Sequence, residues 1–259
     1  MSVRADGGEE WVRRFHPAPG QPLRLVCLPH AGGAASFFFP FSAALASRAD
    51  VLAIQYPGRQ DRRHERLRTT VGELAEETHQ ALLPWADRPL VLFGHSMGAV
   101  IAFEVARMFQ RAGAPPLGLI VSGRRPPDVQ RTERVHLLGD DGLLDEIRKL
   151  SGTDPGVLDD EEVLRMVVPA IRADYRAVEN YRYRPDRAGA ALDCPLSVLT
   201  GEADPRVSVP QARDWAAFSS GPFAFRSFPG GHFYLTPQRD HVVRAILEDL
   251  TSFAGTLTP

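Results

Sequence analysis

The chain is predicted to be an α/β protein built on a mostly parallel sheet with helices on both faces. Three features predict this. Short apolar runs alternate with helix-patterned segments along the chain, the signature of such a sheet. One of those runs passes straight into Gly94-His95-Ser96-Met97-Gly98 and then into a second apolar pattern, a strand turning sharply into a helix. The third is a single connection, between Ser122 and Leu196, far longer than an ordinary crossover of about a dozen or two residues.

The strands are read at Leu23 to Leu28, Val51 to Gln55, Leu90 to Phe93, Leu117 to Ser122, Leu196 to Thr200 and Phe223 to Phe228, with Trp11 to His16 as a candidate antiparallel edge. Helices are read near Phe37 to Ser47, Thr70 to Leu83, Met97 to Arg111, Pro210 to Phe218 and Arg239 to Phe253. The helix after Ser96 should end at "RAGAPP", where Gly113 is a suitable C-terminal residue and the prolines forbid continuation. Thr236 is placed to cap the last helix with Pro237 at its first position. The long connection reads as helical too. Leu143, Leu144, Ile147 and Leu150 share one face; Asp159 and Glu162 form a candidate capping box ahead of Val163, Leu164, Val167 and Val168; Pro169 should kink or break that helix before Ala170 to Tyr181 resumes. The expected organisation is a core of residues 1–125 and 190–259 with a helical insertion, 126–189, acting as a lid over the carboxyl ends of the strands, where parallel sheets bind ligands.

Composition narrows function less than motifs do. The sequence has 259 residues, 44% hydrophobic and 24% charged, and a net charge of −2, too small to argue for nucleic acid or an anionic membrane as partner. No stretch suits a transmembrane helix and "MSVRADGGEEW" has no secretory apolar core, so a cytoplasmic location is expected. Cys27 and Cys194 lie in strand-like runs and read as buried small hydrophobes. No H-E-x-x-H, paired C-x-x-C, P-loop or G-x-G-x-x-G motif suggests a metal or nucleotide, and no cofactor is expected.

Gly94 to Gly98 matches G-x-S-x-G, the nucleophile elbow, in which a strained turn exposes the serine hydroxyl. An aliphatic hydroxyl is a poor nucleophile at neutral pH, so an imidazole must take its proton and a carboxylate must orient the imidazole. In this architecture the partners follow later strands in the order carboxylate, then histidine. Of the 8 histidines, His232 in "PGGHFYL" lies in a glycine-rich turn just beyond a late strand. "GEADPRVS" offers Glu202 and Asp204; Asp204 is preferred because it sits further out and a proline fixes the turn after it. Oxyanion donors are expected from the N–H of Met97 and from the "PHAGG" loop, where Ala31 is preferred over Gly32. His30 and His95 are read as supporting groups that hydrogen-bond the loops. Phe37 and Tyr175 are candidates for an acyl channel. Arg59, Arg62 and Arg63, within a run of five arginines from Gly58 to Arg68, are candidates for a docking surface.

From Leu23 onward, "PHAGG", "YPGR", "GHSMGA", "SGRRPP", "IRADYRAVENYRY", "GEADP" and "GGHFYL" occur in an order that resembles the type II thioesterases of modular polyketide and nonribosomal peptide synthetases, members of the α/β-hydrolase superfamily. The resemblance implies the α/β-hydrolase fold and a Ser96, His232, Asp204 triad with donors at Met97 and Ala31. It also implies editing hydrolysis of acyl groups from the phosphopantetheine thiol of acyl or peptidyl carrier proteins in trans, so the phosphopantetheine arrives with the substrate. Methionine after the serine, and a chain without a carrier domain, favour this reading over a chain-terminating thioesterase. A carboxylesterase or lipase acting on free esters is the alternative for the same triad. The chain is expected to act as a monomer.

Overall fold

The computed structural model describes residues 10–130, 132–150, 161–186 and 191–255. Its seven strands are β1 (Val12–Arg13), β2 (Arg24–Leu28), β3 (Asp50–Ile54), β4 (Leu90–His95), β5 (Gly118–Ser122), β6 (Leu196–Gly201) and β7 (Phe223–Phe228). They form one sheet in the order β1-β3-β2-β4-β5-β6-β7, parallel throughout except for β1 against β3. The edge strand expected at Trp11 to His16 is present and antiparallel, shortened to two residues.

The strands from β2 to β6 are buried along their whole length, so both faces must be covered. Alternate side chains divide between them. Val26, Leu28, Leu52, Leu92, Leu119 and Val198 face α2 (Val71–Leu82) and α3 (Met97–Arg111); Leu25, Cys27, Val51, Phe93, Ile120 and Leu199 face α1 (Phe39–Leu45) and the C-terminal α7 (Arg239–Gly255). The short α6 (Val209–Arg213), whose Ala212 packs on the face of α2 and α3, tightens into a 3-10 turn over Asp214–Phe218, where one helix was expected.

Local chemistry explains the ends. Thr70 caps α2, its Oγ1 accepting the Glu73 N–H at 3.1 Å. Helix α3 closes with Gly113 at φ 77°, the Gly113 N–H donating to Gln110 and the Ala114 N–H to Phe109, as the glycine and prolines predicted. The start of α7 differs from expectation. Residues 232–238 form successive turns and the first helical residue is Arg239, so Pro237 stands before the helix and Thr236, whose N–H donates to Phe233, does not cap it.

Between β5 and β6 the chain forms α4 (Asp140–Lys149) and α5 (Glu161–Asn180). Val135, Leu143, Ile147, Val168, Ile171 and Tyr175 make a small apolar cluster of their own, while Ala177 and Val178 join the main core. Pro169 lies inside α5 without ending it, so of the kink or break expected there the break does not occur. A proline removes one backbone bond and strains one turn; the residues after it are anchored by Ala170, Ile171, Ala173, Tyr175 and Val178, all buried, and this packing carries the helix through. The capping box expected at Asp159 and Glu162 falls outside the described residues. Cys27 and Cys194 are buried and unpaired with each other; burial pushes the Cys194 thiol up to about 12 and the Cys27 thiol further, so both stay protonated. Among the described residues no helix is long and apolar enough to cross a membrane.

Candidate active site

At the end of β4 the chain reverses into α3 through Ser96, which sits at φ 55°, ψ −112°. A non-glycine residue in that region is strained and persists only where its surroundings impose it. The flanking glycines show how. A Cβ on Gly98 would lie 2.0 Å from the Leu28 carbonyl oxygen, and one on Gly94 would lie 2.1 Å from the Gly98 oxygen. Backbone meets backbone at both positions, so neither can carry a side chain. The turn lifts the Ser96 hydroxyl to the carboxyl end of the sheet.

Three segments distant in sequence converge there. His232 Nε2 is 2.9 Å from Ser96 Oγ, and His232 Nδ1 is 2.8 Å from Asp204 Oδ2. Asp204 lies on the loop after β6 with its carboxylate fully buried, and its Oδ1 accepts the Arg206 N–H at 2.7 Å. Glu202, the alternative acid, is exposed and accepts a hydrogen bond from Ser227 Oγ at 3.1 Å, away from the histidine. The arrangement suits proton transfer from the hydroxyl to the imidazole with the carboxylate behind it.

Beside Ser96 and His232, a narrow pocket is also lined by Ala31 and Met97. Among the described residues no other group accepts a hydrogen bond from the N–H of Ala31 or Met97. The Gly32 N–H is committed elsewhere, donating to Asp174 Oδ2 at 2.7 Å, so of the two donors expected in this loop only the Ala31 N–H has no acceptor among the described residues. The pocket shares Ala31, Leu150 and Tyr175 with a cavity of about 630 Å³ whose walls include Phe37, Ile171 and Phe233. Phe37 and Tyr175, expected at an acyl channel, both line this cavity. Its size and largely apolar walls suit a hydrocarbon chain.

His95 and His30 lie near the His232 imidazole without hydrogen-bonding to it. His95 is fully buried, its Nδ1 3.0 Å from Ser122 Oγ, which is 2.6 Å from the Tyr234 hydroxyl. The His30 ring makes packing contacts, edge-on to Phe37 and Phe233 with centroids at 4.8 and 4.7 Å, and its Nδ1 has no hydrogen-bond partner among the described residues. His30 supports its loop through its carbonyl, which accepts the Gly33 N–H at 2.9 Å, where a side-chain bond was expected. Burial, reinforced by the nearby His232, pushes the His30 pKa down to about 3 and that of His95 well below its ordinary value. Both are neutral at physiological pH and do not compete with His232 for protons.

The arginine run divides. Arg63 is exposed, but Arg59 and Arg62 are buried and cannot form a docking surface, a correction to their reading as docking candidates. The Arg62 guanidinium lies 4.6 Å from the Trp11 ring centroid and pairs with Glu65 at 2.6 Å. Arg59 lies over the Tyr56 ring, donates to the Pro57 carbonyl at 2.6 Å and forms an ion pair with Asp174. Asp174 itself escaped sequence reasoning, although a signal was present: it is a carboxylate on the same helical face as Ile171, Tyr175 and Val178.

Residues 23–250 match the family model described as a thioesterase domain. The chain is 51% identical to a probable cadicidin biosynthesis thioesterase of Streptomyces griseus over 96% of its own length and 68% of that protein's. It is 50% identical to the thioesterase PikA5 of Streptomyces venezuelae over 95% and 87% of the two chains. Among solved structures, the type II thioesterase BorB of the borrelidin biosynthetic cluster superposes with a TM-score of 0.86 at 49% identity, covering 96% of this chain and all of that one. The RedJ thioesterase of the prodiginine pathway in Streptomyces coelicolor gives 0.82 at 36% identity over 95% and 89%.

Proposed function

The chain belongs to the thioesterase family, is a thioester hydrolase of α/β-hydrolase fold, and from that premise we propose that it removes acyl groups from the phosphopantetheine thiol of carrier proteins in trans, through an acyl-enzyme on Ser96. The observation that carries the reading is His232 bridging the strained Ser96 hydroxyl and the buried Asp204 carboxylate. The matched relatives, thioesterases of cadicidin, borrelidin and prodiginine biosynthesis, support the substrate class.

In the first half-reaction His232 Nε2 takes the Ser96 hydroxyl proton as Oγ attacks the thioester carbonyl carbon. The carbonyl oxygen becomes an oxyanion held by the N–H groups of Met97 and Ala31. Collapse breaks the carbon–sulfur bond, and the departing sulfur takes the proton from Nε2. Water then enters, loses a proton to His232 and attacks the ester carbon; Ser96 Oγ recovers that proton and the free carboxylic acid leaves. Asp204 holds the imidazole with Nδ1–H toward itself and stabilises the imidazolium formed in each half. The acyl chain occupies the cavity lined by Phe37 and Tyr175. The residues act without a cofactor of the protein's own.

The test is a panel of one acyl group presented on carrier protein, on pantetheine and as a free oxygen ester, with the Ser96→Ala variant as control. We expect the highest kcat/KM on the carrier and loss of about four or more orders of magnitude in Ser96→Ala. An undiminished Ser96→Ala rate refutes the nucleophile, and faster turnover of the free ester than of the carrier thioester refutes the substrate class in favour of a carboxylesterase.

A further inference from the structure

The loop after β2 must present the Ala31 N–H to the oxyanion, yet it contains Gly32-Gly33, the sequence least able to hold its own conformation. Gly32 is in the left-handed region at φ 76°. Something outside the loop must hold it, and the contact comes from the inserted helix α5. Asp174 Oδ2 accepts the Gly32 N–H at 2.7 Å, and Ile171, one turn earlier on the same face, packs so closely that a Cβ on Gly32 would lie 2.7 Å from its Cγ1. The Gly32 N–H belongs to the peptide plane that begins at the Ala31 carbonyl. That plane and the one carrying the Ala31 N–H are joined only through the Ala31 Cα, so holding it restricts the φ and ψ of Ala31 and, through them, the direction of the Ala31 N–H.

The Asp174 carboxylate is fully buried, and the same Oδ2 receives Arg59. Burial raises its pKa in spite of the Arg59 charge and the Gly32 bond. A buried ion pair of this kind is a poor device for stability, since a well-packed apolar pair of similar volume often does as well or better. It is a good device for position. A carboxylate is a stronger acceptor for a backbone N–H than a neutral group, and Arg59, itself held by the Pro57 carbonyl and the Tyr56 ring, aims it.

We propose that Asp174 is a positioning residue for thioester hydrolysis: from the inserted helix it anchors the Gly32 N–H, with Arg59 as its counter-charge, and so orients the Ala31 N–H toward the oxyanion. The insertion is then part of the catalytic apparatus as well as a cover over the cavity. The inference rests on the Ser96 acyl-enzyme and the Ala31 donor described above.

The test compares the parent with Asp174→Ala, Asp174→Asn and the double variant Arg59→Met/Asp174→Leu, on an acyl-pantetheine thioester and on a trifluoromethyl ketone of the same chain, which adds to Ser96 as a tetrahedral oxyanion. In folded Asp174→Ala, kcat should fall about 10- to 100-fold with KM changed less than threefold, and ketone affinity should fall in parallel with kcat, because a misdirected donor weakens only the oxyanion state. Asp174→Asn keeps an acceptor oxygen for Gly32 and should recover at least tenfold of the lost kcat. Should Asp174→Ala not fold because it strands Arg59, the double variant removes the charge pair together and should fold with the same parallel losses. A folded Asp174→Ala or double variant with the parent's kcat, or a loss of kcat without loss of ketone affinity, overturns the proposal. If the parent itself does not bind the ketone, or Ser96→Ala keeps its activity, it is the acyl-enzyme reading that fails.

Discussion

Acidification should destabilise this protein through two histidines that do no chemistry. His30 and His95 are buried beside His232, and burial holds His30 at a pKa of about 3 and His95 well below the ordinary value. In the unfolded chain both return to about 6.5. Above that pH neither state carries the protons and the two contribute nothing pH-dependent; below it the unfolded state binds protons that the native state refuses. Stability is therefore fully present above about pH 6.5 and falls as pH drops toward the folded values, by about 1.4 kcal/mol per pH unit per histidine. Between pH 8 and 5.5 each contributes a loss of about 1.4 kcal/mol, and the pair about 3 kcal/mol. Asp174 and Asp249, whose pKa values burial raises, bind protons more readily folded than unfolded and oppose the trend. The difference between parent and His30→Leu cancels their share. Urea unfolding at pH 8, 7, 6 and 5.5 should give a steeper decline for the parent, with His30→Leu recovering about half of the histidine contribution at pH 5.5. Parallel curves for parent and variant would mean that His30 is protonated in the native state and that the neutral-cluster argument is wrong.

Three further outcomes are expected. Asp204→Asn should lower kcat by about four orders of magnitude through the wrong imidazole tautomer while Glu202→Gln stays within threefold, checked by steady-state kinetics on one thioester. Gly98→Ala sets a methyl group against the Leu28 carbonyl at 2.0 Å and should cost about 3 kcal/mol or more, read from the denaturant midpoint. Arg59→Ala strands the buried Asp174 charge and should cost about 3–5 kcal/mol, whereas Arg63→Ala, on the surface of the same run, should change stability by less than about 0.5 kcal/mol in the same assay.

Much of the site was legible because its signals are local. The continuous apolar runs of β2 to β6, the glycines around Ser96 and the Gly113 stop each act within a few residues of chain, and sequence reads that range directly. The order of nucleophile, acid and base along the strands followed from the same pattern. Phe37 and Tyr175, read from sequence as candidates for an acyl channel, both line the larger cavity.

What sequence alone determined is the sheet, the elbow and the candidates for each catalytic role. The tertiary structure decided between candidates wherever the answer depended on which surfaces meet. Glu202 and Asp204 are two residues apart on one loop, and only the fold shows that Asp204 points inward to His232 and Glu202 outward. Arg59 and Arg62 read as docking candidates by sequence, but Tyr56, Trp11 and Asp174 close around them. Asp174 meets Gly32 across 142 residues and Arg59 across 115. No periodicity or cap reaches that far; such contacts exist only once the burial of apolar faces has brought the segments together and left each polar group to find what partner it can.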